Sequence, residues 1–354
     1  MDEELDLREA LLIEAEQCLD HGDPEGALQS ADEALAIDGR LVDAHHVRAL
    51  ALRELERAGE ALLAAEAALA IDPDFAEAAF TRADLLTFEL GEPEMALDTC
   101  DRFLREELDD TLYSDFLALK GNALCELGDF ENALACFERA TELSPERDDA
   151  GSRGWALFEL GRMEEAVVAL HQACPPGGAQ NPANHFYLAV ALSRLGDERG
   201  AASHFRIAAR LDPEIYHLPR PFPEELIREV VEQARQMLPA ALQRSLEGVP
   251  LQLEPWPKLE GSGQGRRRPS PLAMLRLSGA SDEADEDQPE HGEQQGAPAE
   301  EDARPTALVV YERSLSFICL DRETMLEEMY QALWREIVLF LDLDEEEVEP
   351  SGLH

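Results

Sequence analysis

One block of sequence, about 34 residues long, recurs through the first two-thirds of the chain and leaves few folds open to it. Its clearest copy is Ser114–Arg147, SDFLALKGNALCELGDFENALACFERATELSPER. Val42–Phe75 closes on EALLAAEAALAIDPDF, and Pro182–Ile215 closes on RGAASHFRIAARLDPEI. Each copy sets a small residue (Ala61, Ala133, Ala201) just after a tight turn between two short helices. A second alanine follows (Ala68, Ala140, Ala208), then a proline (Pro73, Pro145, Pro213) that stops the second helix. Small residues at those points let paired helices approach closely. One such hairpin cannot bury its own apolar face, so the copies must stack on one another.

Three looser copies complete the array. Arg8–Leu41 keeps Gly22, Ala27, Ala31 and Ala34 but has Gly39 in place of the closing proline. Ala76–Leu104 carries one extra residue before its turn at Gly91, with Ala96 as the small residue after it. Asp148–Pro175 is one residue short and runs into PPGGAQNP, a cluster of helix breakers. Together these make six repeats over residues 8–215. The pattern resembles the tetratricopeptide-repeat family, whose arrays bind other proteins and have no active site of their own. The fold it implies is mainly α: an α-solenoid of about six helix-turn-helix repeats over residues 1–215.

Composition narrows the partners. A formal net charge of −46 and 76 acidic residues repel phosphate backbones and anionic membranes, so nucleic acid and membrane are excluded as partners. The same field favours a basic or amphipathic protein or peptide. On the expected inner face of the array the binding groove is His46, Leu50, Phe80, Asp84, Asn122, Phe186 and Val190. Only Asn122 among them suits a clamp for an acidic peptide terminus, so a basic or amphipathic helical peptide fits better. The six cysteines form no CxxC pair, and most fall on helical faces within repeats, which suits a reducing cytoplasm. MDEELDLRE is too acidic for a signal peptide, and no apolar run approaches the ~18 residues needed to span a bilayer. Basic residues are nearly all arginine, with Lys120 and Lys258 the only lysines, as in a GC-rich bacterial genome.

A different grammar begins after Ile215. Pro223 opens a helix with Leu226, Ile227, Val230, Val231, Ala234 and Leu238 on one side. VPLQLEPW reads as a strand, placed at an edge because Pro250 cannot donate to a ladder, and PLAMLRLSG reads as another. Residues 280–303 are almost purely acidic and polar and are expected to form a disordered insertion. TALVVYERSLSFICL reads as a hairpin turning at Glu312–Ser314. Asp321 caps a last helix with an apolar stripe of Leu326, Tyr330, Leu333, Ile337 and Leu341.

That order of elements, with ARQMLPAALQRSLEGVPLQLEPWP as its longest anchor, resembles the minimal zincin-like metallopeptidase family of bacteria. The resemblance implies a small α+β zincin-like domain over residues 216–354, and it places the family's zinc motif on the last helix. There the metal and base positions hold Arg335, Glu336, Leu339 and Glu345, with Asp342 in place of the glycine turn. Zinc needs two neutral imidazoles at i and i+4. Arginine stays protonated and leucine has no ligand atom, so Glu336 has no metal-bound water to act on. No metal, no cofactor and no catalytic residue are expected. The chain therefore reads as a cytoplasmic adaptor or scaffold, not an enzyme, with the degenerate domain as a cap or second binding surface. Two alternatives stand beside it: a repeat-targeted metallopeptidase with an altered metal site, and an acidic holdase for basic clients.

Overall fold

A computed structural model describes residues 2–106, 108–145, 149–175, 177, 181–257, 273–277 and 305–341. The acidic insertion, Asp342 and Glu345 lie outside the described residues. The chain divides into two compact units, Met1–Gln180 and Asn181–His354.

The first unit is five helical hairpins. They are α1 (Asp2–Asp20) with α2 (Pro24–Ile37), α3 (Val42–Glu54) with α4 (Ala58–Ile71), and α5 (Ala76–Phe88) with α6 (Pro93–Phe103). Then come α7 (Asp110–Glu126) with α8 (Phe130–Leu143), and α9 (Ala150–Glu159) with α10 (Met163–Gln172). The second helix of each hairpin packs on the first helix of the next, so the five form a solenoid. The repeat alanines sit where the sequence placed them: Ala61, Ala68, Ala133 and Ala140 are fully buried. A second small position, in the first helix of each hairpin, matters as much. Ala15, Ala49, Ala83, Gly121 and Gly154 are about one repeat apart, and a Cβ at Gly121 would stand 2.7 Å from the Phe137 ring.

Each hairpin turn needs one residue with positive φ. Gly22, Gly91, Gly128 and Gly161 supply it in four turns of this unit, and Glu56, at φ 59°, supplies it in the other. The aspartates Asp23 and Asp129 then cap the second helix by accepting from the amides of Gly26 and Asn132. Where the cap position is Arg57 or Arg162, the arginine instead pairs at 2.6 Å with a glutamate three residues on, Glu60 or Glu165. Inside the stack, Phe116 stacks on Phe103 at 5.3 Å and meets Phe80 edge-on at 5.6 Å.

The second unit opens with the sixth hairpin, α11 (Pro182–Arg194) and α12 (Glu198–Leu211), turned by Gly196 and capped by Asp197. It continues with α13 (Glu224–Met237), α14 (Ala240–Ser245), β1 (Leu251–Glu254), β2 (Ala273–Leu277), β3 (Pro305–Tyr311), α15 (Glu312–Ile318) and α16 (Arg322–Phe340). The sheet order is β1-β3-β2, with β1 parallel and β2 antiparallel to β3. β1 is at an edge, as Pro250 requires. Ala307–Tyr311 of β3 is buried without interruption, the pattern of a strand covered on both faces. Ile227, Val230 and Val231 of α13 pack with Met325, Leu333 and Ile337 of α16 and with Leu308 and Val310. Asp321 caps α16, its carboxylate accepting from the amides of Glu323 and Thr324 at 3.0 and 2.9 Å.

One expectation is corrected here. No hairpin turns at Glu312–Ser314: β3 runs straight into α15. The Cys319 amide closes a helical bond to the Leu315 carbonyl at 2.9 Å. The second compact unit begins at Asn181, one hairpin before the change of grammar at Ile215. Phe205 of α12 stacks on Phe317 of α15 at 5.0 Å, and Phe317 stacks on Trp256 at 5.3 Å. The Arg194 guanidinium lies 5.1 Å over the Trp256 ring. These contacts make the sixth repeat part of the second unit's core.

Candidate functional site

In the first unit, His46 and Leu50 on α3, Phe80 and Asp84 on α5, and Asn122 on α7 are all half-buried, while the alanines between the helices are fully buried. α3 touches α5, and α5 touches α7, so the first helices of successive hairpins form one wall. Polar ties cross it at about one repeat length. His46 Nε2 lies 3.1 Å from the Thr81 hydroxyl, which itself donates to the Glu77 carbonyl at 3.1 Å. The hydroxyl proton is thus spent, so His46 donates from Nε2. The Phe75 ring meets that imidazole edge-on at 5.5 Å. Burial lowers the His46 pKa, with Glu77 and Asp43 pulling it back up. Arg53 binds Asp84 at 2.7 Å. Burial nevertheless raises the Asp84 pKa against the pull of Arg53, and Glu89 is raised by burial and by Asp84.

The other expected groove residues stand in the second unit. Val190 on α11 is buried and offers little surface, and Phe186 joins an aromatic cluster with Phe205, Tyr216 and Phe317. That unit holds a cleft of about 560 Å³ walled by α12, by the segment leading to α13 and by α15. Phe205, Phe222 and Phe317 supply its apolar surface; Arg313 at its edge pairs with Glu198 at 3.1 Å. On α16, Arg335 is exposed and Glu336 is the one acidic side chain buried among the described residues. Leu339 lies one turn past Arg335. Neither Arg335 nor Leu339 offers a lone pair to a metal ion.

Sequence reasoning missed Arg53, Thr81 and the cleft. A signal for the first two was there: complementary polar residues 31 and 35 positions apart, about one repeat. The cleft had no such signal, because it joins a repeat to a segment of different grammar.

Residues 119–184 match the tetratricopeptide-repeat family model. The hairpin array is a mainly helical solenoid like that of tetratricopeptide repeats. PilF of Pseudomonas aeruginosa superposes with a TM-score of 0.52 at 22% identity, covering 60% of this chain and 94% of that one. PilW, described as a type IV pilus biogenesis factor, gives 0.53 at 19% identity over 58% of this chain and 94% of its own. A TPR repeat-containing thioredoxin of Arabidopsis thaliana is 37% identical over 93 residues, 25% of this chain and 13% of that protein. The chain therefore spans about an eighth of its curated plant relative's length. No described helix is long and apolar enough to cross a membrane.

Proposed function

We propose that this chain is a protein-interaction scaffold that seats a basic or amphipathic helical segment on the wall of α3, α5 and α7. The observation that carries it is the state of Leu50 and Phe80: apolar side chains left half-open beside His46 and Asp84, on a wall whose own packing is already closed by alanines. A helix laid along that wall covers the two apolar groups, and the chain's charge of −46 draws a cationic partner toward it. A photo-crosslinking residue at Leu50 or Phe80 should capture a partner that the same residue at Leu63 does not. Leu63 is 64% exposed on α4, away from the first-helix wall. Equal capture from Leu63 sinks the reading.

The second unit extends the proposal. Its order of strand and helix, and the position of Arg335, Glu336 and Leu339 on α16, support a zincin-like domain without its metal chemistry, serving as cap or second binding surface. On this reading the chain is not an enzyme. Zinc analysis of protein purified without chelators tests it: stoichiometric zinc would revive the metallopeptidase alternative.

A further inference from the structure

The α11–α12 hairpin carries a pair of histidines used by neither the wall nor the cleft. His185 on α11 is buried and His204 on α12 is half-buried. Their Nδ1 atoms lie 2.8 Å apart, with ring centroids 5.1 Å apart and ring planes 25° from parallel. Centroids so much farther apart than the nitrogens put the rings nearly end to end, each Nδ1 aimed at the other. A metal ion shared by the two would need both lone pairs to converge on a third point ~2 Å from each nitrogen, folding the rings toward one another. The end-to-end arrangement is that of an N–H···N hydrogen bond.

Only one proton fits on that line. With none, two lone pairs face each other; with two, two N–H groups do. In the neutral pair one ring donates from Nδ1 and keeps a lone pair on Nε2, while the other accepts at Nδ1 and carries its proton on Nε2. A first added proton goes to the donor's Nε2, and the bond survives as an imidazolium–imidazole contact. A second has only the acceptor's Nδ1 left, and taking it breaks the bond and sets two cations face to face. We propose that the His185–His204 pair is a one-proton latch, holding the α11–α12 hairpin closed at neutral pH and releasing it when acid forces the second proton on.

Burial favours that release. Residues a turn away on the same helices, Leu188 and Ala189 beside His185, and Gly200, Ala201 and Ala208 beside His204, carry no charge. Burial, then the like charge of Arg210 on α12, lowers the His185 pKa. Of the other charged groups around the hairpin, Arg313 of α15 is tied to Glu198 and Arg194 lies over Trp256. Asp212, beyond α12, acts on Tyr216, and Arg206 lines the cleft. Two sites coupled in this way titrate as a pair, in two separated steps. The consequence reaches the cleft, because Phe205 follows His204 and stacks on Phe317, which stacks on Trp256.

The test is histidine ¹⁵N NMR on the full chain during acid titration, with the two signals assigned through His204→Gln and His185→Gln. The expected result is two steps at least about 1 pH unit apart. A ¹⁹F label on tryptophan, with the Trp256 signal assigned by Trp256→Phe, should shift at the lower step and lose that shift in His204→Gln. Independent titration of both rings near the ordinary imidazole value overturns the latch. So does a Trp256 signal that stays still while the second proton binds. The histidine titration of the unsubstituted chain decides the first point even where His185→Gln fails to fold.

Discussion

Glu56 is the sharpest place to test the turn physics of this array. Four other turns of its unit put glycine at the positive-φ position, and the second hairpin puts a residue with a side chain there at φ 59°. A Cβ in the left-handed region costs about 1–2 kcal/mol from its closeness to the following carbonyl. Replacing Glu56 with glycine removes that cost but adds unfolded-state freedom worth about 0.5–1 kcal/mol. The exposed Glu56 side chain adds little, and its amide keeps its bond to the Arg53 carbonyl at 2.9 Å. Glu56→Gly should therefore stabilise by about 0.5–1 kcal/mol. Removing one of 76 acidic residues could also help by easing self-repulsion, so Glu56→Gln is the control: it loses the same charge and keeps the Cβ. Urea titration followed by circular dichroism on the full chain measures all three proteins. A glycine variant no more stable than the glutamine variant would refute the reasoning.

Three further outcomes follow from packing and protonation. Gly121→Ala should destabilise by about 1–3 kcal/mol, because its Cβ meets the fully buried Phe137 ring, whereas Gly59→Ala, with open space around it, should gain up to about 1 kcal/mol of helix propensity; equal urea midpoints for the two would count against it. Ala133→Leu should overpack the fourth hairpin by about 1–3 kcal/mol, and an unchanged midpoint would mean that the repeat register is misplaced. His46 has a folded pKa lowered chiefly by burial, so the unfolded chain takes the proton first: its contribution is intact above about pH 6.5 and lost as the pH falls. His46→Gln should flatten part of the acid loss of stability, and an identical pH slope in variant and parent would remove His46 from that account.

The array was legible because its signal is redundant. Alanines such as Ala61, Ala133 and Ala201 mark the same crossing in different copies, and each copy checks the others. The loose copies read correctly for that reason, down to the longer turn before Pro93. Glu312–Ser314 had no such check: VVYERSLSF has apolar residues at both strand and helix spacings, and the helical bond from the Cys319 amide to the Leu315 carbonyl decided between them. Parallel pairing of β1 with β3 joins residues 57 apart in sequence, which no local pattern reports. At the wall, residue types were readable one by one, but the Arg53–Asp84 tie turned what read as an acidic position into a neutralised one. Val190 is buried, which the spacing of its repeat alone did not report.

That last hairpin changes what can be exchanged. Cutting the chain after Ile215 would follow the sequence grammar yet strip Phe205 away from Phe317 and Trp256, leaving two aromatic rings open to water. A cut between Gln180 and Asn181 follows the division between the two compact units. Gene fusions or swaps that carry the C-terminal half into another repeat protein should therefore keep their junction before Asn181, moving one helical repeat along as part of the cargo.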